Sequence, residues 1–449
     1  MSAVTIDVGS SLDKGDWTFL QKRVLFLALL TIVVDGFDGQ LIGYAIPTLM
    51  KEWDVSRAAF ASVVAAGLVG MAIGAAASGA WADRFGRRST SIASVIIFGG
   101  ATACIGLVDN LPALGGLRFV AGLGLGGALP GALTLAAEFT PSRRRALAVA
   151  ISAVGATLGG MLAGLVASYV LPAFGWRTLF FMGGAIALAL GAILFVALPE
   201  SPKYLVRRPH RWPELARLLA RIGVEVGSNP VFVDVAERQQ EKKQGFSALI
   251  SRGWRRDTGV LWLAFFCSLF AIYSAFSWLP TMLVAAGLNP SAAVTGLTAY
   301  NVGGVIGSLG CALAIPRLGS RLPLVLCGAC AAAIAFALQA VDVAQNPQLV
   351  FLGLGIHGLF VNAVQSNMYI VCAHVYPTAA RASGMAWALA IGRFGAISSS
   401  FIGAAVITGG SWSYFGLLGI AMLMVCGALL LITRHLPSQS QRSQHAQTT

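Results

Sequence analysis

The chain alternates long apolar stretches with short breaks marked by Gly, Pro or charge, and an apolar run of about 20 residues is what a helix needs to cross a bilayer. Twelve such runs stand out, over 24–48, 58–81, 90–108, 112–137, 146–171, 177–198, 259–284, 293–315, 322–341, 347–372, 382–407 and 411–433. They are called spans 1 to 12. Asp7, Asp13 and Asp16 precede span 1, and span 1 is polar in its middle, so it reads as a retained crossing rather than a cleaved leader. An even number of spans puts both termini on one side. The only long break, 199–258, parts six spans from six and contains Glu214–Ile222, with apolar residues at helical spacing and charges on the opposite face. That pattern predicts a helix lying against the bundle. The predicted division is a six-helix half over 1–198, a linker over 199–258, a second six-helix half over 259–436 and a disordered tail over 437–449.

Composition agrees with an all-α membrane protein. Hydrophobic residues make up 57% of the chain and charged residues 11%, where a water-facing protein carries roughly a quarter charged. The net charge of +13 arises from 31 Lys+Arg against 18 Asp+Glu. Its distribution decides what it means. On the twelve-span layout, 26 of the 31 cations fall on the side of the termini, Lys51, Arg57 and Arg177 on the other, and Arg118 and Arg393 inside spans. The excess is a topology signal that places both termini in the cytoplasm, and no nucleic-acid partner is called for. All seven cysteines lie in apolar runs, so no disulfide framework is implied, and Cys327-x-x-Cys330 reads as small packing residues rather than a metal or redox pair. No metal site is expected.

The two halves repeat. A shift of 233 places Pro47-Thr48-Leu49 on Pro280-Thr281-Met282, Val69-Gly70 on Val302-Gly303, and Arg84, Gly86 and Arg88 on Arg317, Gly319 and Arg321; a shift of 236 places Glu138, Pro141 and Arg145 on His374, Pro377 and Arg381. Parallel repeats of this kind are a habit of transporter folds. Residues present in one copy only escape the scaffold explanation. Asp35 falls on Ser268, Asp38 on Ala271, Arg118 on Leu354, and Arg393 on Thr157.

Each of these four charges costs at least about 2.5–3.5 kcal/mol in the hydrocarbon core. At about 1.5 Å per residue, Asp35 and Asp38 lie about 16 and 21 Å into span 1, and Arg118 lies about 9 Å from the far end of span 4, near the same level. The i, i+3 spacing puts both aspartates on one helix face, and Gly36, Gly39 and Gly43 beside them permit close approach or local unwinding. Two readings stand: an Asp–Arg tie between spans 1 and 4, or an aspartate that takes up and releases a proton as burial favours the acid and Arg118 the carboxylate. Arg393 lies near the midplane of span 11, where a buried guanidinium invites a carboxylate; its alternative partners are backbone carbonyls or Asp35. His357 is about as deep in span 10 and stands between a packing and a proton-relay role. Phe37, Tyr44, Tyr273, Phe276, Trp278, Tyr300 and Trp387 fall in spans expected to line a central cavity, compatible with an aromatic carboxylate.

Other motifs narrow the choice. Gly122-x-Gly124-x-x-Gly127 has the letters of a dinucleotide fingerprint but lies inside an apolar span, where Gly122 and Gly126 serve helix packing instead. Nothing resembling an ATP-binding lysine loop, a zinc pair or a hydrolytic triad appears, so an enzyme is not expected and no cofactor is called for beyond a proton gradient. At the cytoplasmic ends, Asp83, Arg84, Gly86, Arg87 and Arg88 form a charged turn between spans 2 and 3, and Glu138, Arg143, Arg144 and Arg145 end span 4 nearby. They read as a gate that breaks on opening or as anchors of helix ends.

Gly79-Ala-Trp-Ala-Asp83-Arg84-Phe85-Gly86-Arg87-Arg88 resembles the loop signature GxxxDRxGRR of the major facilitator superfamily, and Pro199-Glu200-Ser201-Pro202 is similar to a motif of its sugar and organic-ion branches. Asp35-Gly36-Phe37-Asp38 resembles the D-G-x-D motif of the aromatic acid:proton symporter family, and Arg381 with Gly392-Arg393-Phe394-Gly395 resembles its span 11 pattern. The resemblance implies twelve helices in two pseudo-symmetric halves and a monomer of the bacterial inner membrane. It implies proton-driven import of a benzoate-like or hydroxylated aromatic acid by alternating access, with Asp35, Asp38 and Arg118 in proton coupling. Asp83 and Glu138 would then serve the conformational cycle, and Arg381 and Arg393 the passage of the anion, with Arg118 a second candidate for its carboxylate. The second loop copy departs from the pattern, with Pro316 in place of Asp83. A symporter or antiporter of a sugar or dicarboxylate is the alternative within the same fold.

Overall fold

The structure, a computed structural model, describes residues 4–14, 17–227, 230–234, 249, 253–376 and 378–437. Backbone groups facing lipid have no water to bond, so apolar sequence of this length closes its hydrogen bonds along its own axis as helix. Ten helical stretches are long and apolar enough to cross a membrane. Two of them, Val154–Ala197 and Ser383–Leu431, each hold two crossings, broken at Gly175 (φ 78°) and at Gly410 (φ 78°), which gives twelve. Span 1 runs Phe19–Trp53, span 2 Arg57–Phe85, span 3 Arg87–Ile105 and span 4 Leu111–Phe139. Spans 5 and 6 share the stretch Ser142–Ala197. Spans 7 to 12 run Arg255–Ala285, Pro290–Leu318, Arg321–Gln339, Pro347–Val375, Thr378–Val406 and Gly410–Leu431.

Helix ends follow local chemistry. Thr18 and Gln21 exchange hydrogen bonds as a capping box before span 1, and the side chains of Ser56, Asn110 and Asn289 accept the third backbone N–H of spans 2, 4 and 8. Span 1 has 35 residues, about 52 Å of helix against about 30 Å of hydrocarbon, so it extends beyond the core.

The repeat is visible in the backbone. Spans 2 and 8 have 29 residues each, as do spans 4 and 10, and spans 3 and 9 have 19 each. The turns at Gly86 and Gly319 have φ of 101° and 77°, a region a side chain resists. Packing repeats too: span 2 on span 4 and span 8 on span 10, span 1 on span 5 and span 7 on span 11. Between the halves, span 1 meets span 7, span 2 meets span 11, and span 5 meets span 8.

Glycine sets these approaches. A Cβ on Gly36 would strike the backbone of Ala156 in span 5, and one on Gly43 the backbone of Phe276 in span 7. Span 1 stays helical through both, so of the two roles expected here the structure shows close approach without unwinding. Gly122 and Gly126 lie against the backbone of span 2 at Gly67 and Met71.

The linker holds more order than a single amphipathic helix. That helix spans Trp212–Ala220 and buries Leu215, Leu218 and Leu219. Two strands were not expected: β1 (Val4–Asp7), from the N-terminal segment, pairs in parallel with β2 (Pro230–Val233). Ile6 and Phe232 are buried, and Trp212 meets Phe232 edge-on at 5.5 Å. The tail expected over 437–449 lies, from 438 onward, outside the described residues.

Candidate functional site at the seam between the halves

Asp35, Asp38 and Arg118 are buried, and Arg393 is half-buried. The structure sorts them into two sets. Arg118 lies near enough to Asp38, and Arg393 of the other half near enough to Asp35, for each charge to be felt. The sequence reading placed Arg118 beside both. Spacing along span 1 gives depth and face, but the partner of each carboxylate depends on how spans 4 and 11 are set against it. Both Asp38 oxygens, Asp35 Oδ1 and Arg118 Nε and Nη1 are buried without a hydrogen bond. Buried polar atoms left in this condition mark strain or a working site more often than a structural tie.

Arg393 is held differently. Its Nη1 donates to Tyr273 Oη at 2.9 Å and contacts Met71 Sδ in span 2, across the seam. Tyr273 Oη also lies 3.5 Å from Met71 Sδ. The guanidinium thus rests on a phenol and a thioether, neither of which neutralises it. Of the partners expected for Arg393, neither a backbone carbonyl nor a direct pair with Asp35 is what holds it.

From Tyr273 an aromatic row continues through the second half: Phe276 at 5.9 Å, then Tyr300 at 6.1 Å, then His357 at 6.0 Å. His357 Nδ1 donates to Ala331 O at 3.0 Å, which fixes its tautomer, leaving Nε2 as the acceptor. Trp278 is fully buried and packs on Gly403 of span 11. Trp387 is 41% exposed and stacks at 6.2 Å on Trp262. It lies six residues before Arg393, about 120° round the helix, on the outward side shared with exposed Phe394. The seam therefore gathers Asp35, Arg393, Tyr273 and Tyr300, while Trp387 faces elsewhere.

Tyr44 belongs to a second corner that sequence reading missed. Gln40 and Asn301 pair their side-chain amides reciprocally, Asn301 Nδ2 donating to Gln40 Oε1 at 2.7 Å and Gln40 Nε2 to Asn301 Oδ1 at 3.3 Å. Asn301 Nδ2 also reaches Tyr44 Oη at 3.3 Å, and Tyr44 donates to Gly160 O at 3.1 Å. Gly160 leaves room for the Gln40 side chain, which a Cβ there would strike. A usable signal existed. Gln40 falls on Tyr273 and Asn301 on Leu68 under the repeat, so both are polar in one copy only.

The charged turn at the terminal end is built within the first half. Arg87 pairs with Asp83 at 2.9 Å and approaches Glu138 at 4.0 Å, and Glu138 accepts a hydrogen bond from Ser201 Oγ. Glu200 accepts from Arg88 N at 3.0 Å and fills the space that a side chain on Gly86 would need. Arg208 and Tyr204 donate to the carbonyl of Arg84 at 2.7 and 3.1 Å. The segment after span 6 thus clamps loop 2–3, and none of these contacts crosses to the second half. In the second half the segment after span 12 makes the matching clamp without charge: Ser320 N donates to Leu436 O at 3.0 Å and Leu436 N to Ser320 Oγ at 2.9 Å. Arg381 is exposed, and the side chain of Arg145 lies outside the description. At the opposite end Arg177 pairs with Glu52 at 2.8 Å and Asp109 at 2.5 Å, and Trp176 donates to Glu52 at 2.6 Å.

Among the described residues no group of three or more His, Cys, Asp or Glu is arranged to hold a metal ion.

A family profile of the Major Facilitator Superfamily matches residues 28–340 and 297–448. The chain is 34% identical over 433 residues to the 4-hydroxybenzoate transporter PcaK of Acinetobacter baylyi, covering 95% of this chain and 94% of that one. It is 33% identical over 427 residues to the gallate transporter of Pseudomonas putida, with coverage of 95% and 94%. In fold it is similar to the xylose transporter XylE from E. coli in a partially occluded inward-open conformation, with a TM-score of 0.71, 18% identity, and coverage of 92% of this chain and 98% of that one. The chain is a multi-pass membrane transporter and belongs to the Major Facilitator Superfamily.

Proposed function

We propose that the protein is a proton-coupled symporter that imports an aromatic carboxylate across the bacterial inner membrane by alternating access of its two halves, acting as a monomer with both termini in the cytoplasm. The observation that carries this reading is Arg393: a half-buried guanidinium at the seam whose side-chain partners among the described residues are a phenol and a thioether. Its charge stays available to an anion, and bidentate pairing with a carboxylate meets its fork geometry. The row from Tyr273 to His357 offers ring faces and edges beside it. Asp35, in the field of Arg393, links the proton to the substrate: an anion bound to Arg393 withdraws the positive field that favours the Asp35 carboxylate, and so favours protonation there. Asp38 lies in the field of Arg118 inside the first half. Fixed charge at the seam also speaks against a neutral sugar. Relatives at 33–34% identity carry the names of 4-hydroxybenzoate and gallate transporters, which supports the substrate class.

Uptake of radiolabelled benzoate, 4-hydroxybenzoate and gallate into proteoliposomes, with and without an inward-directed proton gradient, tests the reading. Gradient-dependent accumulation by the native protein, lost in Asp35→Asn, is expected. Accumulation indifferent to the gradient would remove proton coupling, and uptake of no aromatic acid would remove the substrate class.

A further inference from the structure

A groove at the far end of spans 2 and 11 lies outside the seam site. It encloses about 370 Å³ and is lined by Ser56, Arg57 and Ala61 on one side and Phe401, Ala405 and Thr408 on the other. That volume lies at the small end of the range typical of small-molecule sites, about 300–1,000 Å³. Its walls are alanine, one aromatic ring and the side chains of Ser56 and Thr408, and its single charge is Arg57. The three cations at this end are Lys51, Arg57 and Arg177. Arg177 is taken by Glu52 and Asp109, whereas among the described residues no carboxylate pairs with Arg57. A largely apolar slot with one unneutralised guanidinium complements a ring bearing one carboxylate.

Part of the groove stands above the seam: Arg57 is 14 residues, or about 21 Å, before Met71, and Ala404 is 11 residues, or about 17 Å, beyond Arg393, each within about 40° round its helix, while Phe401 and Ala405 turn towards the outward side shared with Phe394 and Trp387. The halves meet towards this end, where Gly43 abuts Phe276 and Gly164 abuts Thr298, so the groove lies outside a closed door. We propose that it is an outer capture site that holds a monocyclic carboxylate, its ring against Phe401 and the alanines and its carboxylate on Arg57, before the halves part at that end. The inference rests on the transport reading above and on that end facing outward. A cation at the rim raises the local anion concentration and the capture rate, and does so less as salt screens it.

The test measures initial uptake of radiolabelled 4-hydroxybenzoate, at low and high salt, into proteoliposomes of neutral phosphatidylcholine. At low salt and subsaturating substrate, Arg57→Gln is expected to lower uptake about fivefold, the scale of one exposed ion pair, and the loss is expected to shrink with salt and with saturation. Arg57→Lys should keep most of the native rate, and Ala405→Trp, which fills the groove, should reproduce the loss. Native rates in both Arg57→Gln and Ala405→Trp would overturn the proposal. So would a loss that appears only when anionic phospholipid is added, which would assign the groove to a lipid headgroup. Equilibrium binding of labelled benzoate to solubilised Arg393→Gln separates the two readings: binding that Arg57 still governs supports the groove even if the native protein takes up no aromatic acid, and no such binding removes it.

Discussion

Two corners of the seam occupy repeat-related positions and are furnished differently. In one, Gln40 of span 1 meets Asn301 of span 8 over Gly160 of span 5. In the other, Tyr273 of span 7, the counterpart of Gln40, meets Arg393 of span 11 and Met71 of span 2. The amide corner satisfies itself, each carboxamide giving and taking one hydrogen bond. The arginine corner cannot, because a guanidinium offers five donors and a charge to a phenol and a thioether. Duplication supplied both corners with the same scaffold, and one unmatched cation sets the second apart from the self-satisfied contact of the first.

Arg393→Gln should break the comparison most severely. Losing the desolvated charge that receives the anion should cut aromatic-acid uptake about 100-fold or more, with the protein still folded and present in the membrane; a variant transporting at half the native rate would reduce this corner to a structural tie. A smaller effect is expected of Tyr273→Phe, which removes one hydrogen bond to a charged group: the KM for uptake should rise about tenfold, and an unchanged KM would show that Tyr273 does not position Arg393. The amide corner should matter least for transport. Gln40→Ala strands a buried amide and should lower stability by about 1–3 kcal/mol, read as a drop in Tm in detergent. Replacing both partners, Gln40→Leu with Asn301→Leu, should recover much of that loss. Uptake abolished by Gln40→Ala at native Tm would make this corner a ligand site as well and erase the contrast.

The architecture was legible because lipid leaves the backbone few choices. Apolar run length gave the crossings, and Gly86 with Gly319 showed the duplication in sequence before their shared positive φ showed it in the backbone. The four intramembrane charges were legible because charge is costly there. Gln40 and Asn301 escaped notice for the converse reason: neutral amides carry little penalty once paired, and the pair is 261 residues apart in sequence. Met71 reads as one more apolar residue until Arg393 is seen on its sulfur. Aromatic residues in a span do not declare which way they face, and Trp278 and Trp387, grouped with Tyr273 in the sequence, separate from it in space. Which arginine answers which aspartate depends on the packing of spans 4 and 11 around span 1, and one helix's period does not contain that.

The pairing of β1 with β2 sets an order of events during synthesis. Val4 lies opposite Pro230, 226 residues later in the chain. At about 5–20 residues per second, the first strand to leave the ribosome waits about 10–45 s for its partner. Six helices must be made in the interval, so the clip closes only on a finished first half.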